Sequence, residues 1–458
     1  MQAAREPTHA APATPASART TLGDLWIGLL VAAGAFALFS VLEQPRLYGD
    51  GPGLATLLAE GRLDGSHHVG YLPLAEVLRV ALAGGDPVRA LHLASALPMA
   101  LATGLLFATV RRLGRDRLES VCAAVAWVTT PGALFFATTG EVHAPHAAAL
   151  ALAMFAATHA PWGRPGLATL IVAPCLACLY WTHVSAPLLG LGLVLLVRAT
   201  PGARVSTRTL LFGVGPAWVA SLLLAMGVAS WIRTGSFSVF AVDTELQILG
   251  DYAGAAPPFE VLLHNANPYG LLVMAGVWGA GTRLRGWPLL AWLALVLPSW
   301  IFFNGWGVKE FGGYLLPTSL ALAWSAAAWL RAERAVSQTV GLLVAMAAMQ
   351  LFTAHLSLAD WNHGWDYADR TAVVAQALPE GGTLVVPWVD APAASIAQPS
   401  VVELPIAHEI SLGIHSGLPP ESMAVASREL ERLFADGAVA VDVSFESRAE
   451  FHTPSGRL

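Results

Sequence analysis

The chain has 458 residues, of which 55% are hydrophobic and only 12% charged, with a mean hydropathy of +0.58. That balance excludes a soluble globular protein and points to a polytopic membrane protein. A net charge of −6, without a basic surface interleaved with aromatics, excludes nucleic acid as a partner.

The first 20 residues are rich in Ala, Pro and Thr, and residues 1–23 are expected to form a disordered cytoplasmic tail. Apolar runs long enough to cross a bilayer, about 17–25 residues each, follow near 24–42, 88–110, 118–139, 143–160, 209–231, 262–282, 286–303, 311–330 and 336–356. A further run, 167–197, is too long for one crossing and short for two. It carries Thr182, His183, Ser185 and Pro187 at its middle and reads as two short helices meeting at a polar break. Such a break is tolerable only where it is buried in protein or faces a wet cavity. Cys122, Cys175 and Cys178 all lie inside apolar runs, where small thiols pack between helices.

The arginines orient the spans. Arg111, Arg112, Arg115 and Arg117 share one connection; Arg198, Arg204 and Arg208 another; Arg283 and Arg285 a third; Arg331 and Arg334 a fourth, with Arg164 in between. With about 11 crossings and the N-terminus inside, every one of these loops is cytoplasmic, as the positive-inside rule requires. The fold class expected is therefore an all-α polytopic membrane protein spanning 24–356, N-in and C-out, with a first outer loop at 43–87. The stretch 357–458 is expected to form a small extracytoplasmic α/β cap, because "DYADRTAVVAQAL" and "ESMAVASRELERLFADG" read as helices while "GGTLVVPWV" and "AVAVDVSF" read as strands. The expected location is the bacterial inner or plasma membrane, with membrane lipids as constant partners.

Polar residues at the outer ends of spans are costly to place and are the functional candidates. In the first outer loop Asp50 lies between two glycines, where the backbone can turn sharply; the competing reading is a turn residue capping a helix from Pro52. The amphipathic segment after it suits helices lying in the interface, and His67, His68 and Tyr71 fall in "HHVGYLPL". Glu141, His143 and His146 follow in "GEVHAPHAAAL"; they carry competent metal-ligand atoms, but their spacing matches no metal motif, so neither a metal site nor a cofactor is assigned. His183 marks the polar break, where it could equally hydrogen-bond a helix end. The last outer segment, "GWGVKEFGGYLLP", holds Lys309, Glu310 and Tyr314, and Lys309 is the only lysine among 25 basic residues. A snorkelling interfacial lysine is the bland reading of that position.

The early Asp with a Gly-Tyr-Leu-Pro stretch, the Glu of "GEVHAPHAAAL", the "THVSAPLLGLGLVLL" break and the late "YLLP" resemble the GT-C superfamily of polytopic glycosyltransferases over roughly residues 24–330. Within it, the likeness is to the protein O-mannosyltransferase-like group, although the prolines before Gly70 and a second carboxylate after Asp50 are missing. The resemblance implies a polyprenyl-phosphate sugar donor, chemistry at the outer face, and Asp50 as the catalytic acid residue of the family. The acceptor would be a glycan, a lipid or a protein. Physical chemistry agrees, since a polyprenyl phosphate is already a good leaving group and a single base suffices to activate an acceptor hydroxyl. Lys309 and His183 would bind the donor phosphate, and His67, His68, Tyr71, Glu141, His143, Glu310 and Tyr314 would line the substrate site. The alternative is a transporter or flippase of a lipid-linked or polar substrate, and a third class is a non-catalytic envelope scaffold. The first expects ionisable groups at mid-membrane depth, and the sequence instead gathers them at the outer ends.

Overall fold

The computed structural model describes residues 21–44, 51–63, 70–183, 186–203, 205–238, 258–306 and 312–364, with short strand pairs beyond. Every segment expected to cross is helical: α1 (Leu22–Val41), α4 (Pro87–Arg112), α5 (Arg117–Val128) with α6 (Pro131–Thr138), α7 (His143–His159), α8 (Pro165–Thr182) and α9 (Ala186–Ala199) come first. They are followed by α10 (Thr207–Thr209), which runs through a π-turn into α11 (Gly215–Thr234), then α12 (Pro258–Ala266), α13 (Gly270–Arg283), α14 (Trp287–Trp306), α15 (Leu316–Arg331) and α16 (Val336–Gly364). Among the described residues, five helices are long and apolar enough to span alone, or six when α5 and α6 are joined. The remainder are shorter or interrupted. The chain is a multi-pass integral membrane protein with an all-α body.

The third span corrects the sequence expectation of one continuous helix over 118–139. It bends by 66° between α5 and α6. Pro131 has no N–H and opens α6, Thr130 caps it by accepting the Ala133 N–H at 3.2 Å, and Thr129 returns its hydroxyl to the Val125 carbonyl at 2.8 Å. Thr130 thus satisfies a backbone N–H that the break would otherwise orphan in an apolar medium.

Two short helices, α2 (Gly51–Ala59) and α3 (Tyr71–Ala81), occupy the first outer loop, as its amphipathic pattern predicts. Leu54, Leu58, Leu72 and Ala75 pack with Ala90, Leu91 and Ala94 at the start of α4, and Val142 joins the same cluster. On the exposed side of α3, Arg79 bonds Glu76 at 2.6 Å, which holds that carboxyl below its usual range. The loop is therefore packed down onto the end of the bundle where α7 begins.

Helix α7 is the hub, with nearly every residue from His143 to Thr158 buried between α4, α8 and α15. Water offers no driving force between helices in a bilayer, so close packing carries the association. Helices α13 and α15 approach so tightly that a Cβ on Gly276 would stand 2.8 Å from the Leu322 carbonyl oxygen, and one on Gly279 would strike the Ser325 carbonyl.

The arginine loops gather at one end of the bundle. Buried Asp24, at the start of α1, takes Arg117 at 2.7 Å and Arg111 at 3.3 Å; Arg331 bonds Asp116 at 2.7 Å, Arg283 bonds Glu333 at 3.1 Å, and Arg112 donates to the carbonyl oxygens of Thr158 and Pro201. The exposed pairs among them, Arg331–Asp116 and Arg283–Glu333, contribute at most about 1 kcal/mol each. The value of the whole set is positional, since these contacts tie the starts of α1, α5 and α16 to the ends of α4, α7, α9 and α15. The positive-inside expectation that these loops share one face is met by their contacts.

Beyond the bundle, β1 (Thr383–Val385) and β2 (Val439–Val441) pair in parallel, joining the two strands expected in the C-terminal region. Parallel pairing requires a crossover instead of a hairpin, in keeping with an α/β unit. A second pair, β3 (His452–Thr453) and β4 (Gly456–Arg457), is antiparallel. The helices expected at 366–378 and 421–437, and the tail 1–20, lie outside the described residues.

Candidate active site

At the end of the bundle opposite the arginine loops, five elements meet. The ring of His143 lies 5.0 Å from Phe136, 5.1 Å from Tyr314 and 5.9 Å from His183, centroid to centroid. His183 is in turn 5.0 Å from His146, 5.5 Å from Tyr314 and 6.0 Å from Phe303, and Tyr314 stacks on Phe303 at 4.4 Å with 15° between planes. Three imidazoles, one phenol and two phenyl rings form one cluster, drawn from α6, α7, the α8–α9 break, α14 and the start of α15. His143, His146 and His183 are all buried, and Tyr314 is half-buried.

The local sequence explains each placement. Helix α8 ends at Thr182, and His183 takes an extended conformation as its C-cap, its N–H donating to the Leu179 carbonyl at 2.9 Å. The Thr182 hydroxyl donates to the same carbonyl at 2.9 Å and lies 2.9 Å from His146 Nδ1, which ties the His146 ring to the end of α8. At the other end of the short turn before α7, Glu141 Oε2 accepts the Val142 N–H at 3.1 Å, while Ser95 of α4 donates to the Glu141 carbonyl at 3.1 Å. The Glu141 carboxylate thus holds the backbone of the residue just before α7, beside the cluster.

The first outer loop is fastened to the same place. The Gly70 N–H donates to the Trp181 carbonyl at 2.9 Å, one residue before Thr182, and a Cβ on Gly70 would sit 3.0 Å from that oxygen. Gln44, just after α1, donates its N–H to the Thr138 carbonyl at 3.1 Å, at the end of α6. Tyr71 is placed differently from its expected substrate-lining role. It is fully buried in the loop packing and its hydroxyl donates to the Leu91 carbonyl at 3.4 Å, so it anchors α3 to α4, and burial pushes its phenol pKa up.

Of the residues singled out in the sequence, His143, His183, Tyr314 and, beside them, Glu141 and His146 come together. Asp50, His67, His68, Lys309 and Glu310 lie outside the described residues. Sequence reasoning missed Phe136 and Phe303, which look like any other apolar residue of a span, and Asn265 and Tyr269, which brace the segment before Tyr314. A polar Asn at the outer end of an apolar run was the available signal for the last pair. Among the described residues, no three His, Cys, Asp or Glu side chains are grouped to hold a metal ion. Of the three free thiols, Cys122 is buried as the packing reading expects, whereas Cys175 is half-buried and Cys178 exposed, which corrects that reading for Cys178.

Most of the chain has known structural counterparts. A crystal structure of ArnT from Cupriavidus metallidurans bound to undecaprenyl phosphate superposes with a TM-score of 0.53 over 90% of this chain and 72% of that one, at 18% identity. The likeness shows a shared fold. The apo state of the same protein gives 0.52 at 15% identity, over 90% and 70% of the two chains. The Archaeoglobus fulgidus oligosaccharyltransferase in its apo form gives 0.50 at 14% identity, over 83% and 64%. No family model and no curated protein matches the chain. At these identities the likeness is one of fold, and it is to GT-C architecture broadly; the narrower O-mannosyltransferase likeness does not rest on these neighbours.

Chemically, the cluster offers imidazole and phenol groups able to donate hydrogen bonds to an anionic oxygen, walled by aromatic rings that exclude water. Both features strengthen electrostatic stabilisation of developing charge.

Proposed function

We propose that the protein is an inverting glycosyltransferase that moves a sugar from a polyprenyl-phosphate donor to an acceptor hydroxyl at the outer membrane face. One observation carries the reading: His143 and His146, His183 and Tyr314, from three of the outer polar segments picked from the sequence, meet in a single imidazole–aromatic cluster at the end of the bundle away from the arginine loops. That a neighbour of this fold was crystallised with undecaprenyl phosphate supports a donor of the same chemical class.

In the proposed reaction, the acceptor oxygen attacks the anomeric carbon while Asp50 takes its proton. The bond from that carbon to the phosphate oxygen breaks, and the electron pair leaves with the polyprenyl phosphate. Lys309 and His183 would stabilise the departing phosphate, with His143 and Tyr314 lining the donor site and Glu141 fixing the start of α7 beneath it. Tyr71 would act through the packing of the first loop, and His67, His68 and Glu310 would complete the substrate surface. The described residues that flank Asp50 and Lys309 support this assignment: Gln44 is bonded to α6, Gly51 opens α2 on the outer cluster, and Gly313 packs next to His143. The reaction needs no cofactor. Domain limits of 24–356 for the catalytic bundle and 357–458 for the extracytoplasmic cap, with the N-terminus inside a bacterial inner membrane, complete the proposal.

The test is purified protein in lipid nanodiscs with a panel of polyprenyl-phosphate sugars covering mannose, glucose, galactose, arabinose and their amino forms. Release of polyprenyl phosphate with transfer or hydrolysis of the sugar is expected for at least one donor. No turnover across the panel, together with movement of a lipid-linked substrate between leaflets, would replace the reading by transport.

A further inference from the structure

Gly312 is gripped at both of its peptide groups by two buried side chains that no motif in the sequence singled out. Its N–H donates to Asn265 Oδ1 at 3.2 Å, and its carbonyl accepts the Tyr269 hydroxyl at 3.1 Å. Gly312 has φ +79°, and a Cβ there would stand 2.5 Å from the Asn265 carbonyl oxygen and 2.6 Å from Tyr269 Cε2. Only glycine fits such a position without strain. The Tyr269 ring is itself wedged against Gly132 of α6, where a Cβ would overlap it.

The next residue is equally confined on its other side. A Cβ on Gly313 would lie 2.6 Å from both Cδ2 and Nε2 of His143 and 2.9 Å from Phe136. Tyr314 follows, against His143, His183 and Phe303. The chain thus runs without slack from the Asn265–Tyr269 grip, through two glycines that leave no gap, to the ring that closes the imidazole cluster.

We propose that Asn265 and Tyr269 are positioning residues, forming a clasp on Gly312 that sets Gly313 and Tyr314 against His143 and His183. The catalytic consequence of the clasp rests on the glycosyltransferase reading; the placement of the rings does not. The bonds that define the clasp go from Asn265 and Tyr269 to the Gly312 backbone. They act through the backbone of 312–313.

Two measurements separate these levels. The first is carbethoxylation of His143, His146 and His183 by diethyl pyrocarbonate, mapped by peptide mass spectrometry on full-length protein in nanodiscs. In wild type these buried rings are expected to react slowly; in Tyr269→Phe, which keeps the wedge and loses only the hydroxyl, and in Asn265→Ala, modification of His143 and His183 should rise about tenfold, the scale of leaving one buried hydrogen-bonding group unsatisfied. Asn265→Asp keeps an acceptor for the Gly312 N–H and should restore protection, which distinguishes local positioning from general destabilisation. The second measurement is donor turnover, where a clasp variant should lower kcat more than it raises KM, because misplaced groups are felt most in the transition state.

Unchanged histidine modification in both Y269F and N265A would overturn the clasp, whatever the turnover. Histidines unmasked in the variants, in a protein whose wild type transfers no sugar, would uphold the clasp and refute the glycosyltransferase reading. Should N265A fail to fold, Y269F alone decides, since it removes one hydrogen bond and no packing.

Discussion

Replacing Lys309 with alanine is expected to abolish sugar transfer while leaving the yield and thermal stability of the folded protein unchanged. The chain contains one lysine against 24 arginines, so an ammonium at an outer helix end is a departure from its own habit. Arginine binds phosphate as a rigid planar fork, whereas lysine is a compact charge on a flexible stem that can follow an oxygen as its bond breaks. In a site walled by aromatic rings, losing one donor to the developing charge costs about 3 kcal/mol, or roughly two orders of magnitude in kcat. Lys309→Arg should recover a fraction of this by restoring charge without geometry. Turnover of a lipid-linked donor in nanodiscs, with thermal unfolding alongside, measures both arms. A K309A protein with wild-type turnover refutes the role.

Asp50→Asn should have the second large effect. Asparagine preserves the shape of the side chain and its ability to end a helix turn, and removes only the capacity to accept the hydroxyl proton. General-base catalysis contributes about 10²–10⁴-fold, so kcat should fall by that range while donor affinity stays near wild type. Equilibrium binding of a polyprenyl phosphate, measured beside turnover, separates the loss of chemistry from the loss of binding. A capping residue, or a residue of a non-catalytic scaffold, would tolerate the same change.

Much of the fold was legible because a bilayer leaves the chain few choices. Apolar length marks each span, and the arginine clusters mark which ends lie together; the contacts of Asp24, Asp116 and Glu333 with those arginines bear out that grouping. What hydropathy does not register is an interruption that keeps its polar groups satisfied. The bend after Val128 stayed hidden inside an apolar run, although Thr129, Thr130 and Pro131 spelled out its mechanism. The break at His183 was readable because its polar residues could not all be packing.

The candidate site divides in the same way. Glu141, His143, His146, His183 and Tyr314 were found because polar groups at membrane depth are costly, a rule that needs no partner to be known. Their aromatic walls and the grip on Gly312 depend on contacts 43 and 47 residues apart, which no local pattern encodes. Tyr71 shows how packing enters the same motif. A residue in a suggestive motif proved to be a packing anchor, its hydroxyl spent on the Leu91 carbonyl.

The account stands or falls on where a polyprenyl phosphate binds. A cryo-electron microscopy map of the protein in nanodiscs with undecaprenyl phosphate should place the phosphate beside His183 and Tyr314, with Lys309 on its oxygens and the Asp50 carboxylate facing the same pocket. Phosphate density at the end where Arg111 and Arg117 hold Asp24, or Asp50 and Lys309 turned to opposite ends of the bundle, would contradict it.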